Sequence, residues 1–292
     1  MTRFLFPERI ESSFNGYSVF VDFYEQTRPL SMEKIALDFR QTNWFEANLS
    51  AVLGSLLNYH LEKLNTFTFE NLSTKVSNVL KRNHFLSNFG DLPINDYYKT
   101  TIQYRKFKTT EENYFKEYLD NELLSKEEMP GMSALLRKKI NESIFEIFNN
   151  AAIHGDCKNV FTCGQYYPTN NRLDFTIVDL GKTIKTGVNN FLKKNLSGIE
   201  CIVWAVEEGN TTKRRTIPGG LGLSLIRGFL KINGGMIQII SADGYWEQRI
   251  NSVDKKALPK NFPGTIVNLE FNLIDKAQYF LASETIDESE IF

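Results

Sequence analysis

Hydrophobic positions in the first third of the chain form short runs typical of strands and longer stripes typical of helices. The runs YSVFVDF, KIALDF and TFTFE, rich in β-branched and aromatic residues, predict strands at 17–23, 34–39 and 66–70. Leucines and valines recur every three or four residues in ANLSAVLGSLLNYHLEKL, which predicts a helix over 47–64. A further helix is predicted over 73–86, with Ser73 as its N-cap. This alternation predicts a small α/β domain over residues 1–92.

A second set of elements follows a polar stretch. Residues 93–130 are rich in charge and punctuated by proline, which predicts a connecting segment that includes one helix. Apolar residues at helical spacing then predict a long helix from Ser133 to His154, and NVFTCGQYY and RLDFTIVD predict a hairpin of two strands. A helix over SLIRGFLKI, ended by Asn233-Gly234-Gly235, and the strands MIQIIS and GTIVNLEF complete an α/β domain over 131–275. The acidic residues 276–292 are predicted to form a peripheral tail.

The overall composition narrows the classes of function. With 34 Lys+Arg against 35 Asp+Glu, the chain has no charge excess that favours nucleic acid or an anionic membrane as a partner. No run of about 18 apolar residues predicts a membrane-spanning helix, and the opening residues lack the apolar core of a signal peptide. Three cysteines without metal-ligand spacing predict reduced core thiols. We therefore expect a cytoplasmic protein that binds neither nucleic acid nor a membrane.

The long helix carries the first candidate site residues. Glu146 and Asn150 are four residues apart, so both project from one face of the helix. The amide oxygen of Asn150 suits a Mg²⁺ ion that bridges phosphate oxygens, and the carboxylate of Glu146 suits general-base activation of a water or hydroxyl for in-line attack. Alternatively, the two side chains only solvate the outer side of an amphipathic helix.

Two further segments suit a nucleotide. Asp179 ends a predicted strand, where a buried carboxylate can accept a hydrogen bond from the exocyclic amine of adenine, and Gly181 leaves room for the base. Thr265, near the start of the last predicted strand, could hydrogen-bond near that carboxylate. The alternative for the Asp-x-Gly sequence is an ordinary turn.

A glycine-rich segment precedes the second helix of this domain. Gly219, Gly220 and Gly222, with Leu221 and Leu223, lead directly into that helix. Bare backbone N–H groups there can approach phosphate oxygens, and the helix dipole favours the negative charge. The segment is neither a P-loop, since no Gly-Lys-Ser/Thr follows, nor a Rossmann fingerprint, since no strand directly precedes it. A flexible hinge before the helix is the alternative.

In this order, E-x-x-x-N, D-x-G, G-G-x-G-L and G-T, the segments resemble the boxes of the GHKL ATPases (gyrase, Hsp90, histidine kinase, MutL) over about residues 131–273. The resemblance implies an α/β sandwich of a mixed sheet and helices that binds ATP and Mg²⁺. It also implies that Glu146 is the general base, Asn150 the Mg²⁺ ligand and Asp179 the adenine anchor. The glycines would cradle the phosphates.

One position departs from the pattern of this family. Its D-x-G box often has a second glycine two residues later, where this chain has Thr183. This departure bears on the local geometry of the ATP lid, which by the resemblance spans residues 182–218. The basic residues Lys213, Arg214 and Arg215 could reach a γ-phosphate when the lid closes, or could belong to a solvated loop.

Residues 15–91 are similar in the order of their elements to the STAS domain of anti-sigma factor antagonists. That resemblance implies a phosphorylatable serine at the start of the helix after KIALDF, where this chain has Ser50 without the usual Ser-Gly pair. We expect Ser50 to face solvent or to cap its own turn rather than to act as a phospho-switch.

Three hypotheses remain for the role that ATP would have in this protein. Similarity to the anti-sigma kinase branch favours a regulatory protein whose nucleotide state controls binding to a protein partner. The alternatives are a slow ATPase that works as a dimerising clamp or within a hetero-assembly, and a kinase that phosphorylates Ser or Thr on another protein. His60, His84 and His154 all lack the setting of a phosphoacceptor, so histidine autokinase activity is not expected.

Overall fold

The computed structural model describes residues 1–210 and 221–284, with the backbone alone at Leu221 and Gly222. Its first part is built on a three-stranded parallel sheet in the order β1-β3-β5, and a short parallel pair, β2 with β4, lies apart from that sheet. The elements are β1 (Thr2–Leu5), β2 (Arg9–Ile10), α1 (Phe14–Thr27), β3 (Lys34–Asp38), β4 (Trp44–Phe45), α2 (Ser50–Glu62), β5 (Thr66–Glu70) and α3 (Thr74–Arg82). Each parallel neighbour is reached through a helix, as parallel pairing requires.

The strand predicted at 17–23 is wrong, because these residues lie in α1. That helix begins after Ser13, whose hydroxyl accepts a hydrogen bond from the Gly16 backbone N–H, and it buries Tyr17, Phe20 and Val21. A short aromatic and β-branched run fits a buried strand and a buried helix equally well. The predictions of β3, α2, β5 and α3 are confirmed, as is the capping of α3 by Ser73.

The expectation that Ser50 faces solvent is also wrong. Its side chain is fully buried, and its hydroxyl accepts a hydrogen bond from Asn83 Nδ2 at 2.8 Å. The helix start carrying Ser50 packs against the sheet of the second half of the chain, which is why it is enclosed. Phosphorylation at this serine would therefore require the start of α2 to open.

The second half of the chain is built on a five-stranded sheet in the order β10-β11-β9-β8-β6. Its elements are β6 (Thr101–Lys108), α4 (Glu112–Tyr118), β7 (Gly131–Met132), α5 (Ala134–Ile153), β8 (Asn159–Tyr167), β9 (Arg172–Asp179), α6 (Ile184–Leu192), α7 (Gly198–Val206), α8 (Leu221–Asn233), β10 (Met236–Gln248), β11 (Val253–Asn272) and β12 (Gln278–Tyr279). The predicted helices and strands of this half are all present. Strands β10 and β11 extend well beyond the predicted segments and form a long hairpin.

The prediction of a mixed sheet for this half is wrong, since every strand pairing in the five-stranded sheet is antiparallel. Two hairpins, β8–β9 and β10–β11, supply four of the strands, and hairpins join antiparallel neighbours. The fifth strand, β6, comes from the segment 93–130 that was predicted to be a connector. In the tail that was predicted to be peripheral, β12 pairs in parallel with β7.

Both faces of the five-stranded sheet are buried. One face packs against α5, α7 and α8, with residues such as Phe148, Ile177 and Leu269 in that core. The opposite face packs against the N-terminal part, with Val178 and Ile266 of the sheet in the same core as Leu53 of α2. The N-terminal part therefore covers the side of the sheet that the second set of helices leaves open. Within the described ranges, no helix is both long and apolar enough to cross a membrane.

Candidate functional site

An open pocket with about 1070 Å³ of empty space lies on the helical face of the five-stranded sheet. Its walls come from α5, from the segment 182–210 and from α8, and apolar side chains of the sheet form its floor. Five of the predicted site residues line it: Glu146, Asn150, Asp179, Leu223 and Thr265. They lie between residues 146 and 265, so the fold brings together residues that are far apart in the chain.

Helix α5 supplies the polar wall of the pocket. It begins at the N-cap Ser133, whose hydroxyl accepts a hydrogen bond from the Leu136 N–H, and its apolar stripe is buried as predicted. With that stripe turned inward, Glu146 and Asn150 reach the pocket from successive turns. An amide oxygen and a carboxylate one turn apart can serve as oxygen ligands or orient a water molecule.

Asp179 is the most unusual group in the pocket. Its side chain, 7% exposed, ends β9, and its Oδ1 atom is buried without a hydrogen-bond partner. Burial raises the pKa of its carboxyl group to about 7. A buried carboxylate oxygen without a partner carries an unfavourable free energy, which a ligand that donates a hydrogen bond would relieve.

Three glycines allow the backbone to close around Asp179. A Cβ atom on Gly181 would lie 2.1 Å from the Gly155 carbonyl oxygen, and one on Gly264 would lie 2.0 Å from the Asp179 carbonyl oxygen. A Cβ atom on Gly155 would come within 3.1 Å of Asp179 Oδ1 and closer still to the backbone of α5. Gly181 is thus needed for close packing of the backbone. The sequence had suggested a different reason for this glycine, namely room for the base.

Thr265 lies opposite Asp179 in the β9–β11 ladder. Its hydroxyl is 3.2 Å from the Ser241 hydroxyl, which itself donates to the Gly264 carbonyl oxygen. Thr265 was expected to hydrogen-bond near the Asp179 carboxylate; its hydroxyl lies beside that of Ser241, and Asp179 Oδ1 has no partner. Thr265 therefore borders the pocket without neutralising the carboxyl group.

The part of the predicted lid that the structure describes is largely helical and forms one wall of the pocket. Thr183, at the family's glycine position, is the N-cap of α6, and its hydroxyl accepts a hydrogen bond from the Thr186 N–H. Trp204, Asn210 and Gly187 also line the pocket. The sequence did not indicate these three residues, because nothing in their spacing shows which side chains turn inward.

Some of the predicted phosphate-binding residues lie outside the described residues. These are Gly219 and Gly220, together with the basic trio at 213–215. Leu221 and Gly222 begin α8, and Leu223 of that helix lines the pocket. Among the described residues, no group of three or more His, Cys, Asp or Glu side chains could hold a metal ion.

Comparison with known proteins gives no relative: no model of a protein family matches the chain, and no curated protein matches it. What the pocket binds must therefore be inferred from its own side chains.

Proposed function

We propose that the protein binds Mg-ATP in this pocket and that its nucleotide state controls binding to a protein partner. The buried, unpartnered Oδ1 of Asp179 at the pocket is the observation that carries this proposal. The amine of adenine is a hydrogen-bond donor on a flat apolar ring, and it suits a carboxylate surrounded by apolar floor residues such as Ile177 and Val267.

Other groups that line the pocket suit phosphates. Asn150 would hold Mg²⁺ through its amide oxygen, and the ion would neutralise charge on the phosphate oxygens. The start of α8, which carries Leu223, offers the positive end of a helix dipole. Glu146, which also lines the pocket, would accept a proton from a water or a hydroxyl.

These features support the further proposal that residues 131–273 form an ATP-binding domain of the GHKL type. The order of the motifs carries it, together with the placement of α5 and α8 on the same face of one sheet. The resemblance of residues 15–91 to a STAS domain remains a prediction, and α1 in place of the first predicted strand weakens it. Under this proposal the N-terminal part is the candidate contact for the partner.

Calorimetric titration of the full chain with ATP and with ADP, each with and without Mg²⁺, tests the binding proposal. We expect magnesium-dependent ATP binding in the wild type, a loss of binding in Asp179→Asn and a loss of the magnesium dependence in Asn150→Ala. Asn149→Ala is the matched control, because Asn149 is the neighbouring amide on α5 and does not line the pocket. Normal ATP binding by Asp179→Asn would rule out the adenine contact.

Phosphate release separates the regulatory proposal from its alternatives. A regulator binds ATP with little turnover, whereas a dimerising clamp hydrolyses ATP at a rate that depends on its own concentration. Under the clamp alternative, Glu146→Gln stops ATP turnover and spares ATP binding. The control Glu142→Gln leaves both turnover and binding intact. Glu142 lies one turn earlier on α5, is exposed and forms an ion pair with Lys139. Transfer of labelled phosphate to a second protein would instead favour the kinase alternative.

A further inference from the structure

A second cavity, with about 830 Å³ of empty space, lies between α3, the segment around β4 and the β8–β9 turn. It shares no lining residue with the pocket that contains Asp179. One wall is apolar and aromatic, with Trp44, Phe45, Val76 and Tyr167. The cavity therefore joins the N-terminal part to the end of a hairpin of the five-stranded sheet.

The charged side chains that line this cavity are both cationic. Lys75 and Arg82, both on α3, line it, and no aspartate or glutamate does. Lys75 Nζ lies 4.5 Å from the centroid of the Trp44 ring, and in the described part of the chain it makes no ion pair. Arg82 makes one long hydrogen bond, from Nε to the Asn78 carbonyl oxygen at 3.4 Å. Among the described residues, no carboxylate forms an ion pair with either of these two cations.

Two carboxylates accept hydrogen bonds from residues that line the cavity. Asp96 accepts a hydrogen bond from the Thr100 hydroxyl at 3.4 Å, and Glu8 accepts one from Asn43 Nδ2 at 2.7 Å. Neither carboxylate lines the cavity. The lining instead offers hydroxyl and amide groups beside the two cations, which can donate further hydrogen bonds to an anion.

Two polar atoms of the lining residues have unmet hydrogen-bonding capacity. Trp44 Nε1, a donor, and Gln165 Oε1, an acceptor, are buried without a partner, while Gln165 Nε2 donates to the Tyr166 carbonyl oxygen at 3.0 Å. Unpaired buried polar atoms are uncommon in folded proteins and carry an unfavourable free energy. Both atoms belong to residues that line the cavity beside Lys75 and Arg82.

We propose that this cavity binds a small phosphate monoester with a flat apolar body, its phosphate held by Lys75 and Arg82 and its body against Trp44 and Tyr167. A phosphate monoester carries nearly two negative charges at neutral pH, which matches the two cations of the lining. Its three oxygens can accept several hydrogen bonds at once, as a guanidinium and an ammonium group together provide. The site does not depend on ATP binding in the other pocket.

Phenyl phosphate is the probe, added to the full-length protein while the tryptophan indole N–H signals are followed by nuclear magnetic resonance. The chain has three tryptophans, and they report on different places: Trp44 lines the proposed site, Trp204 lines the pocket of Asp179, and Trp246 lines neither. The Trp44 signal is assigned with Trp44→Phe. We expect it to shift saturably, and phenol to leave it in place because phenol lacks the anion.

Two variants locate the phosphate. Lys75→Met and Arg82→Gln should each weaken phenyl phosphate binding about tenfold, the effect of losing one charge-assisted hydrogen bond. Lys116→Met is the matched control, because Lys116 also lies over an aromatic ring, that of Phe145, and does not line the cavity. A melting temperature close to that of the wild type checks that each variant folds.

Three results would overturn the proposal: no shift of the Trp44 signal, a shift that phenol reproduces, or binding that both α3 variants leave intact. A shift of Trp204 alone would place the anion in the other pocket and likewise count against it. Failure of Mg-ATP to bind would leave the outcome at Trp44 unaffected, so the two proposals are tested separately.

Discussion

Asp179 ends β9 and lines the pocket, where burial opposes the ionisation of its carboxyl group. Its position before Gly181 marked it as a candidate ligand contact, but only the folded chain buries its Oδ1 atom without a partner. The pKa of this carboxyl group is raised to about 7 from an ordinary value of 3.8. Ionisation at neutral pH therefore opposes folding, as is common at functional sites.

The stability of Asp179→Asn relative to wild type should depend on pH. Because the folded pKa is raised, the contribution of Asp179 to stability is fully present below about pH 4 and is lost as the pH rises through about 7. We expect Asp179→Asn to gain up to about 4 kcal/mol over wild type between pH 4 and pH 8. Chemical denaturation at several pH values measures this difference. Asp156→Asn, an exposed neighbour paired with Lys182, should show no comparable trend.

His60 should make the protein less stable as the pH falls, which is the opposite of the pH dependence expected for Asp179. It is buried between Thr27 and Asn65, with Thr27 Oγ1 2.8 Å from Nε2 and Asn65 Nδ2 3.0 Å from Nδ1. Burial, assisted by the charge of Lys63, lowers the pKa of His60 to about 4.

With a lowered folded pKa, stability is present above about pH 6.5 and is lost as the pH falls to about 4, by about 3 kcal/mol. His60→Gln should therefore be less sensitive to acid than wild type in denaturation experiments between pH 7 and pH 4. His84→Gln, in the turn after α3, serves as the control. An equal loss of stability in wild type and His60→Gln would show that another group titrates.

At the scale of elements, hydrophobic spacing predicted most helices and strands, and its errors have identifiable causes. Helix α5 and the hairpin of β8 and β9 were predicted to within a residue because long stripes and paired short runs are distinctive. Helix α1 was mistaken for a strand, because a short aromatic and β-branched run fits either element. Strand β6 was missed because its exposed Arg105 and Lys106 make the segment look like a polar connector.

Thr183 gives a prediction at the same scale. The D-x-G-x-G pattern has glycine here, but in this chain the residue is the N-cap of α6. We expect Thr183→Ala to lower the free energy of unfolding by about 1 kcal/mol and Thr183→Gly by only a few tenths, since glycine is a tolerated N-cap. Chemical denaturation of the two variants tests this. Glycine being the worse substitution would mean that Thr183 matters for a reason other than capping.

At the scale of the whole molecule, the two parts of the chain share one core. Asn48, at the start of the α2 region, donates hydrogen bonds from Nδ2 to Thr176 Oγ1 at 2.9 Å and to Asn268 Oδ1 at 3.2 Å. Thr176 and Asn268 are cross-strand partners on the sheet face that the N-terminal part covers. The polar side chains of Thr176 and Asn268 on that face are therefore hydrogen-bonded to a residue of the N-terminal part of the chain.

This shared core predicts that the full chain unfolds in one cooperative transition. Asn48→Ala removes these buried hydrogen bonds and should lower the free energy of unfolding by about 2 kcal/mol. Asn78→Ala is the control, because Asn78 is an exposed residue of α3. Far-ultraviolet circular dichroism and tryptophan fluorescence, recorded during denaturation, should give coincident transitions. Two separated transitions would show that the parts fold independently.

The amino-acid sequence by itself determined the local elements and the candidate residues of the pocket. Helical stripes, caps and glycine motifs depend on residues close together in the chain, so Glu146, Asn150 and Asp179 could be proposed without coordinates. Tertiary structure decided the antiparallel pairing of the large sheet, the burial of Ser50 and the cavity beside Trp44. These depend on which distant segments pack together, and no spacing within one segment specifies that. The same physical reason explains why Asp179 could be named from the sequence, while its missing hydrogen-bond partner could not.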